Sequence, residues 1–435
     1  MLRFRDPVHG LIDVTEDECA IIDTRAFQRL RRIKQLATTY MVYHGAEHTR
    51  FGHSIGVMHL TSRVFDSVLE KNPDLFGGDK AAIAYYRQLL RLVGLTHDLG
   101  HPPFSHASED LFREGRVHED YTRDILFSPE LRNAIERVNR SFHDEYSSDF
   151  QITPEAIWLA YTGDDVLSEL YQSPEFPFLK SLMDSELDCD KMDYLLRDSY
   201  YCGVNYGSFD LGRLVDSFTV YKGENEDQLK LAIAADGVQA VEEFVLARYF
   251  MFIQVYFHKT RRLLDKRLVS SLKEILPEGA FPLDVEEYLA WDDMRVLSEL
   301  SSGEVSKPAS LFLGRETMHC VFSSKPHTGR EGRKLYNLAE KQARTILLGK
   351  DSIDEANLGD HLMLDFPRKP VHKISPELED ERGIPVVFES GKRPSSLLEE
   401  SVLLDSLRDN EIAIKRLYVS SEYRNEVESA LCQYL

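Results

Sequence analysis

The sequence predicts a mainly α protein, with an all-α core over residues 1–275 and a smaller α+β lobe over 276–435. Three observations predict it. Apolar residues recur at helical spacing through the first half. One short alternating run, in a β insertion near 216–235, interrupts that pattern. Beyond about residue 280 the texture turns to short segments broken by Pro and Gly. A chain of 435 residues also exceeds what one growing core accommodates, which favours two lobes.

Taken in order, Ile55, Met58, Val64, Phe65, Val68 and Leu69 follow His53 at helical spacing, placing His53 at or near a helix start. From Asp79 to Leu99 the chain offers an Asp at the N-cap, then Ala81, Ala82, Leu89, Leu90 and Val93; Gly100 and Pro102-Pro103 stop the helix. Leu187 to Tyr201 reads as a helix with Asp190, Tyr194 and Asp198 on one face. Gln228 to Ala235, with Leu229-Lys230-Leu231-Ala232-Ile233, reads as a strand, followed by a long helix carrying Phe244, Tyr249, Phe252 and Tyr256. Ile384 to Phe388, and Ile412-Ala413-Ile414 to Val419, are strand-like, and Lys325 to Lys334 is expected to be an exposed loop.

Composition narrows the function. A net charge of -21 opposes attraction to nucleic acid or anionic membranes, although a few cations in a pocket still admit a small anionic substrate. The five cysteines (Cys19, Cys189, Cys202, Cys320, Cys432) are scattered, with no C-x-x-C spacing, so neither disulfides nor a cysteine zinc site is expected. No apolar run reaches the roughly 18 residues of a membrane span, and the N-terminus lacks a signal-peptide pattern. A reducing cytoplasm is the expected compartment.

The densest chemical signal is His97-Asp98-Leu99-Gly100-His101-Pro102-Pro103-Phe104-Ser105-His106, at a helix end and the turn after it. Its company strengthens it: Arg50-Phe51-Gly52-His53 upstream and Asp188-Cys189-Asp190-Lys191 downstream. Mixed imidazole and carboxylate ligands suit Mn, Fe, Zn or Ni, or Mg with fewer protein bonds. Two His and two Asp leave positions open for water and phosphate oxygens, and water acidified by a metal is a hydrolase's nucleophile.

The order His53, His97-Asp98, Asp190 resembles the H…HD…D signature of the HD superfamily. More narrowly, Asp6-Pro7-Val8-His9-Gly10, Asp23-Thr24, Phe27-Gln28-Arg29-Leu30-Arg31, Ile33-Lys34-Gln35-Leu36 and His97 to His106 are similar to the SAM-and-HD-domain dNTP triphosphohydrolases and their bacterial relatives, as far as about Lys259. The resemblance implies an all-α HD core and metal ligands at His53, His97, Asp98 and Asp190. It implies a divalent transition metal (Mn, Fe, Ni or Zn) there, and Mg with the substrate phosphates. Attack at the α-phosphorus would give nucleoside and inorganic triphosphate. His106 matches the general acid, with His101, His118 and Glu119 in the supporting acid-base shell. Arg50, Lys191 and Arg248 match the groups that grip the triphosphate. Gln35, Leu36, Tyr194, Asp198 and Tyr256 match positions around the sugar, where a 2′-hydroxyl is excluded.

Asp23, Gln28 and Arg31 match part of a guanine-nucleotide activator pocket, and a homo-oligomer (dimer or tetramer) is implied. The chain departs from the pattern at Ala234-Ala235-Asp236-Gly237 and at Leu2, where basic residues would complete that pocket. Phe252 replaces a polar pocket residue, and Glu109 replaces an Asp near the general acid. Two rival readings use the same residues: a phosphatase or phosphodiesterase for another nucleotide, and a nucleotide-sensing module with little turnover. Ordinary structural roles compete too. Arg29, Arg31, Arg32 and Lys34 would normally form a solvated helix face, and His258, Lys259, Arg261 and Arg262 are open to the same reading. Tyr249, Phe252 and Tyr256 would normally be core, and His9, His44, His48 and His59 structural.

Overall fold

The structure is a computed structural model that describes residues 2–113, 115–163, 176–222 and 229–434. The helices that build the site are α1 (Arg50–Lys71), α2 (Lys80–Thr96), α3 (His118–Leu126) and α4 (Cys189–Cys202). Next come α5 (Val238–Met251), a π-helical turn at Phe252–Tyr256, and α6 (Lys259–Ile275). The fold is mainly helical, as expected, with small sheets.

Local chemistry sets the helix ends. The Asp79 carboxylate accepts from the backbone N–H of Ala81 at 2.9 Å and starts α2. That helix ends at Thr96, three residues before the expected Leu99, so that His97 caps it. Asp188 caps α4 by accepting from the N–H of Lys191 at 2.8 Å. Two glycines let the helices close in. A Cβ on Gly94 would lie 2.8 Å from the Met58 backbone nitrogen, so α1 and α2 meet backbone to backbone. A Cβ on Gly56 would lie 2.0 Å from Asp193 Oδ1, so only glycine there admits the α4 carboxylate against α1.

The strands are β1 (Leu2–Asp6), β2 (Gly10–Val14), β3 (Phe218–Lys222), β4 (Leu229–Ala234), β5 (His319–Ser323), β6 (Leu362–Asp365), β7 (Arg368–Pro370), β8 (Pro385–Val387), β9 (Ser395–Ser396), β10 (Glu411–Ala413) and β11 (Arg416–Val419). β1 and β2 pair as an antiparallel ribbon. The insertion strands β3 and β4 continue into β8 and β9, with β4 parallel to β8. The segment Ile412 to Val419 divides between two sheets: β10 pairs with β7, while β11 lies between β5 and β6. Gln228, at the edge of the expected strand, lies outside the described residues.

One large core runs from Ile12 to Ile414 and takes in Phe281, Tyr288, Trp291 and Val386 from beyond residue 275. A second, smaller core gathers Val321, Tyr336, Leu347, Leu417 and Leu431. Two expectations are corrected here. Lys325 to Lys334 is not a loop throughout, because a helix starts at Arg330 and runs to Leu348, burying Tyr336, Ala339 and Ala343. Arg29 does not sit on a solvated face. It is 1% exposed and donates to the carbonyls of Trp291 and His101 at 2.8 and 2.9 Å, tying the turn after α2 to the helix Asp293–Ser301 region. Among the described residues no helix is long and apolar enough to cross a membrane.

Candidate active site

Three helix ends converge on one point. His53 comes from the first turn of α1, His97-Asp98 from the end of α2, and Asp190 from the first turn of α4. Each imidazole has its Nδ1 side anchored. His53 Nδ1 lies 2.7 Å from Asp193 Oδ2, and His97 Nδ1 donates to the Gly94 carbonyl at 2.9 Å. Both Nε2 atoms therefore present lone pairs inward, and both are buried without a hydrogen-bond partner. His53 Nε2 is 2.9 Å from Asp190 Oδ1 and 3.6 Å from Asp98 Oδ2; His97 Nε2 is 3.3 Å from Asp98 Oδ1 and 3.7 Å from Asp190 Oδ1.

Two imidazole and two carboxylate groups facing one another fit a divalent cation, and the Asp193 carboxylate behind His53 is the support metal-bound histidines usually have. Burial alone would lower the His53 pKa, but the carboxylates of Asp190 and Asp193 overcome it and push the ring up to about 10, so the position between His53 and Asp190 draws positive charge, whether a proton or a metal ion. Burial opposes ionisation of Asp98 as well, yet Arg50 and His97 hold it well below the usual carboxylate range.

Beside it lies a second cluster, around Glu109. Its Oε1 is 2.8 Å from His118 Nδ1, 3.0 Å from His106 Nδ1 and 3.7 Å from His101 Nδ1. The rings of His101 and His118 stack at 3.9 Å and 19°. This close grouping suits proton handling, and its ligand atoms also lie near enough to one another to hold a metal ion. Burial, with the charges of Arg50 and His118, pushes His101 well below the ordinary histidine range. His101 Nε2 also reaches Asp98 Oδ1 at 3.2 Å, linking the two clusters. Phe104 and Ser105 both adopt left-handed backbone conformations (φ 58° and 52°), and this turn brings His106 back toward His101, 4.8 Å away between ring centres. The His106 side chain is 62% exposed.

Both clusters open into one cavity of about 600 Å³ that is also lined by Gln35, Leu36, Arg50, Glu119, Lys191, Tyr194, Asp198, Arg248 and Tyr256. All the residues expected to bind metal, to catalyse and to hold substrate thus come together, although His53 sits just behind the cavity wall. Arg50 donates to Asp98 Oδ2 at 2.6 Å and to Ser105 Oγ at 2.8 Å, both ends buried. Arg248 is held by Glu186 at 3.2 Å and the Val371 carbonyl at 2.9 Å, and Lys191 by Asp188 at 2.5 Å. At the other end the Tyr256 hydroxyl donates to Asp198 Oδ2 at 2.8 Å, while His48 Nε2 lies 2.7 Å from Oδ1. Asp23, Gln28 and Arg31 stand apart from the cavity. Arg31 donates to Gln28 at 2.9 Å and covers the Phe51 ring.

Family models match this chain twice: the HD domain over residues 50–162 and the HD associated region over 209–435. The chain belongs to the HD-domain family.

Its relatives include an uncharacterized protein of Bacillus subtilis, 34% identical over 71% of this chain and 67% of that protein. The deoxynucleoside triphosphate triphosphohydrolase SAMHD1 of Gallus gallus is 27% identical over 82% of this chain, which spans 57% of that enzyme. A Methanocaldococcus jannaschii relative, also uncharacterized, is 34% identical, and the chain spans 56% of its length. A crystal structure of a hypothetical protein from Aquifex aeolicus superposes with a TM-score of 0.72 at 30% identity, covering 99% of both chains.

For an HD protein, several residues at this site were not singled out from sequence. Asp193 is the most consequential: fully buried, it meets His53, His9 at 2.7 Å and Arg197 through both oxygens. Its signal was the i, i+4 spacing of Asp193 and Arg197, together with Gly56 opposite. His9 and His48, read as structural, support Asp193 and Asp198 respectively. Arg261, Arg262, Phe252 and Lys369 also reach the cavity, so the charge and aromatic series beyond residue 250 is partly pocket. Replacing Asp193 by Asn is expected to weaken metal affinity about 10- to 100-fold, as loss of an outer-shell carboxylate does elsewhere. Chelator competition on the folded variant measures it, and wild-type affinity would exclude Asp193 as the support of His53.

Proposed function

We propose that this HD protein hydrolyses deoxynucleoside triphosphates to deoxynucleoside and inorganic triphosphate, at a metal held by His53, His97, Asp98 and Asp190. The observation that carries the reading is a single cavity joining the His/Asp cluster to Arg50, Lys191 and Arg248 on one side and to the Tyr256–Asp198 pair on the other. A divalent transition ion (Mn, Fe, Ni or Zn) would supply Lewis acidity and an acidified water. Magnesium is proposed to accompany the substrate phosphates.

The chain's own groups then have distinct tasks. Arg50, Lys191 and Arg248 bind and orient the phosphates, Arg through its planar fork. His106 hands a proton to the leaving 5′ oxygen, with Glu109 at 3.0 Å orienting its ring. His101, His118 and Glu119 support that transfer. Asp198, fixed by His48 and Tyr256, accepts the 3′-hydroxyl, while Gln35, Leu36 and Tyr194 enclose the sugar. The similarity to SAMHD1 enzymes supports the dNTP substrate. We further take the working form to be a homo-oligomer, a dimer or tetramer, in the reducing cytoplasm that its scattered cysteines suit, and Asp23, Gln28 and Arg31 to be part of an activator pocket.

The test is to incubate the protein with each dNTP and NTP plus Mn or Mg and to resolve the products by chromatography. Deoxynucleoside with inorganic triphosphate, and no turnover of NTPs, is the expected result. Release of monophosphate or single phosphate would move the reading to another phosphoester.

A further inference from the structure

We propose that Lys369, contributed by the C-terminal segment, is a positioning residue whose ammonium grips the phosphate chain of the nucleotide and so ties that segment to the occupied site. The inference rests on the triphosphate reading above and adds to it a residue from outside the helices that carry the metal cluster.

The geometry is direct. Lys369 is the central residue of β7, paired across the ribbon with Ile412, and it lines the same cavity as the metal cluster. Its Nζ lies 5.7 Å from the centre of the Phe252 ring, and the Arg248 guanidinium lies 5.6 Å from the same centre, so the two cations share one aromatic wall. Two residues on, the Val371 carbonyl accepts from Arg248 Nη1 at 2.9 Å, so the segment that delivers the lysine also holds the arginine. Among the described residues no carboxylate or carbonyl accepts from the Lys369 ammonium.

The charge balance says what is missing. Burial lowers the Lys369 pKa, and Arg248, Lys373 and Lys191 lower it further, against opposition from Glu186. A half-buried ammonium pressed by three like charges, facing a cavity and with no anion hydrogen-bonded to it, is an arrangement that a polyanion relieves. Three cations lining one cavity match the several negative charges of a chain of phosphates better than those of a lone phosphate.

The experiment is calorimetric titration of inorganic triphosphate, and separately of inorganic phosphate, into the metal-loaded wild type, Lys369→Met and Lys369→Arg, with melting curves confirming that each variant is folded. Lys369→Met is expected to weaken triphosphate binding about 10- to 100-fold, with Lys369→Arg restoring most of it. Phosphate binding is expected to change by less than about threefold. In the dNTP assay the same loss is expected in KM, with kcat nearly preserved. Tight triphosphate binding by wild type with an unchanged Lys369→Met would remove Lys369 from the site and leave the substrate reading intact. No triphosphate binding by wild type would overturn the substrate reading and this inference with it.

Discussion

Replacing His97 by Gln and Asp98 by Asn together leaves a folded protein without bound metal and with turnover at the metal-free background. The amides are chosen for a structural reason. Asp98 is the acceptor for Arg50 Nη1 at 2.6 Å, and both side chains are about 95% buried or more. Cutting Asp98 to Ala would strand a buried guanidinium, and losing one partner of such a pair costs about 3–5 kcal/mol. Asn keeps an acceptor for Arg50 while removing the charge a metal needs. Elemental analysis of the purified variant, run beside the dNTP product assay, measures both properties, and melting temperature shows that the fold survives. A variant that keeps its metal and full turnover would sink the assignment of His53, His97, Asp98 and Asp190 as a metal site.

His106→Gln gives the complementary result, with kcat falling about 10²- to 10⁴-fold while metal content stays at the wild-type level. The expectation follows from position. His106 sits apart from the His53/His97 cluster, contacts Glu109, and is 62% exposed toward the cavity. Its removal should leave no buried group unpaired, since Glu109 retains His118 at 2.8 Å. If metal were lost along with activity, His106 would be a ligand. If kcat were unchanged, the proton for the leaving group would come from elsewhere, and the stacked pair of His101 and His118 would be the next place to look.

Much of the site was legible in the chain because its parts are local. Histidine and aspartate packed into His97 to His106, with His53 behind a glycine and Asp190 inside an N-capped turn, are signals of composition and spacing. Helix boundaries near them followed from caps and breakers whose chemistry acts within four residues, such as Asp79 and Pro102-Pro103. The interruptions are equally instructive. Arg29 reads as one of four clustered cations, and nothing in that cluster says that three backbone carbonyls from two distant segments wait for it. Arg330 to Lys334 reads as loop because it is glycine-containing and basic, yet the apolar stripe of Tyr336, Ala339 and Ala343 packs into the second core and carries the helix through it.

By itself, then, the sequence determined a mainly helical fold and picked out the His and Asp side chains that the structure gathers into one cluster. These depend on residue type and short spacing, which the chain states outright. Only the tertiary structure decided what stands behind and across from those groups. Asp193 reaches His53 over 140 residues because Gly56 leaves room for it, His48 meets Asp198 across 150, and Lys369 enters the cavity from a three-residue strand near the far end of the chain. Such contacts carry no periodic or local mark, because what creates them is the close packing of separate elements rather than any preference of the residues themselves.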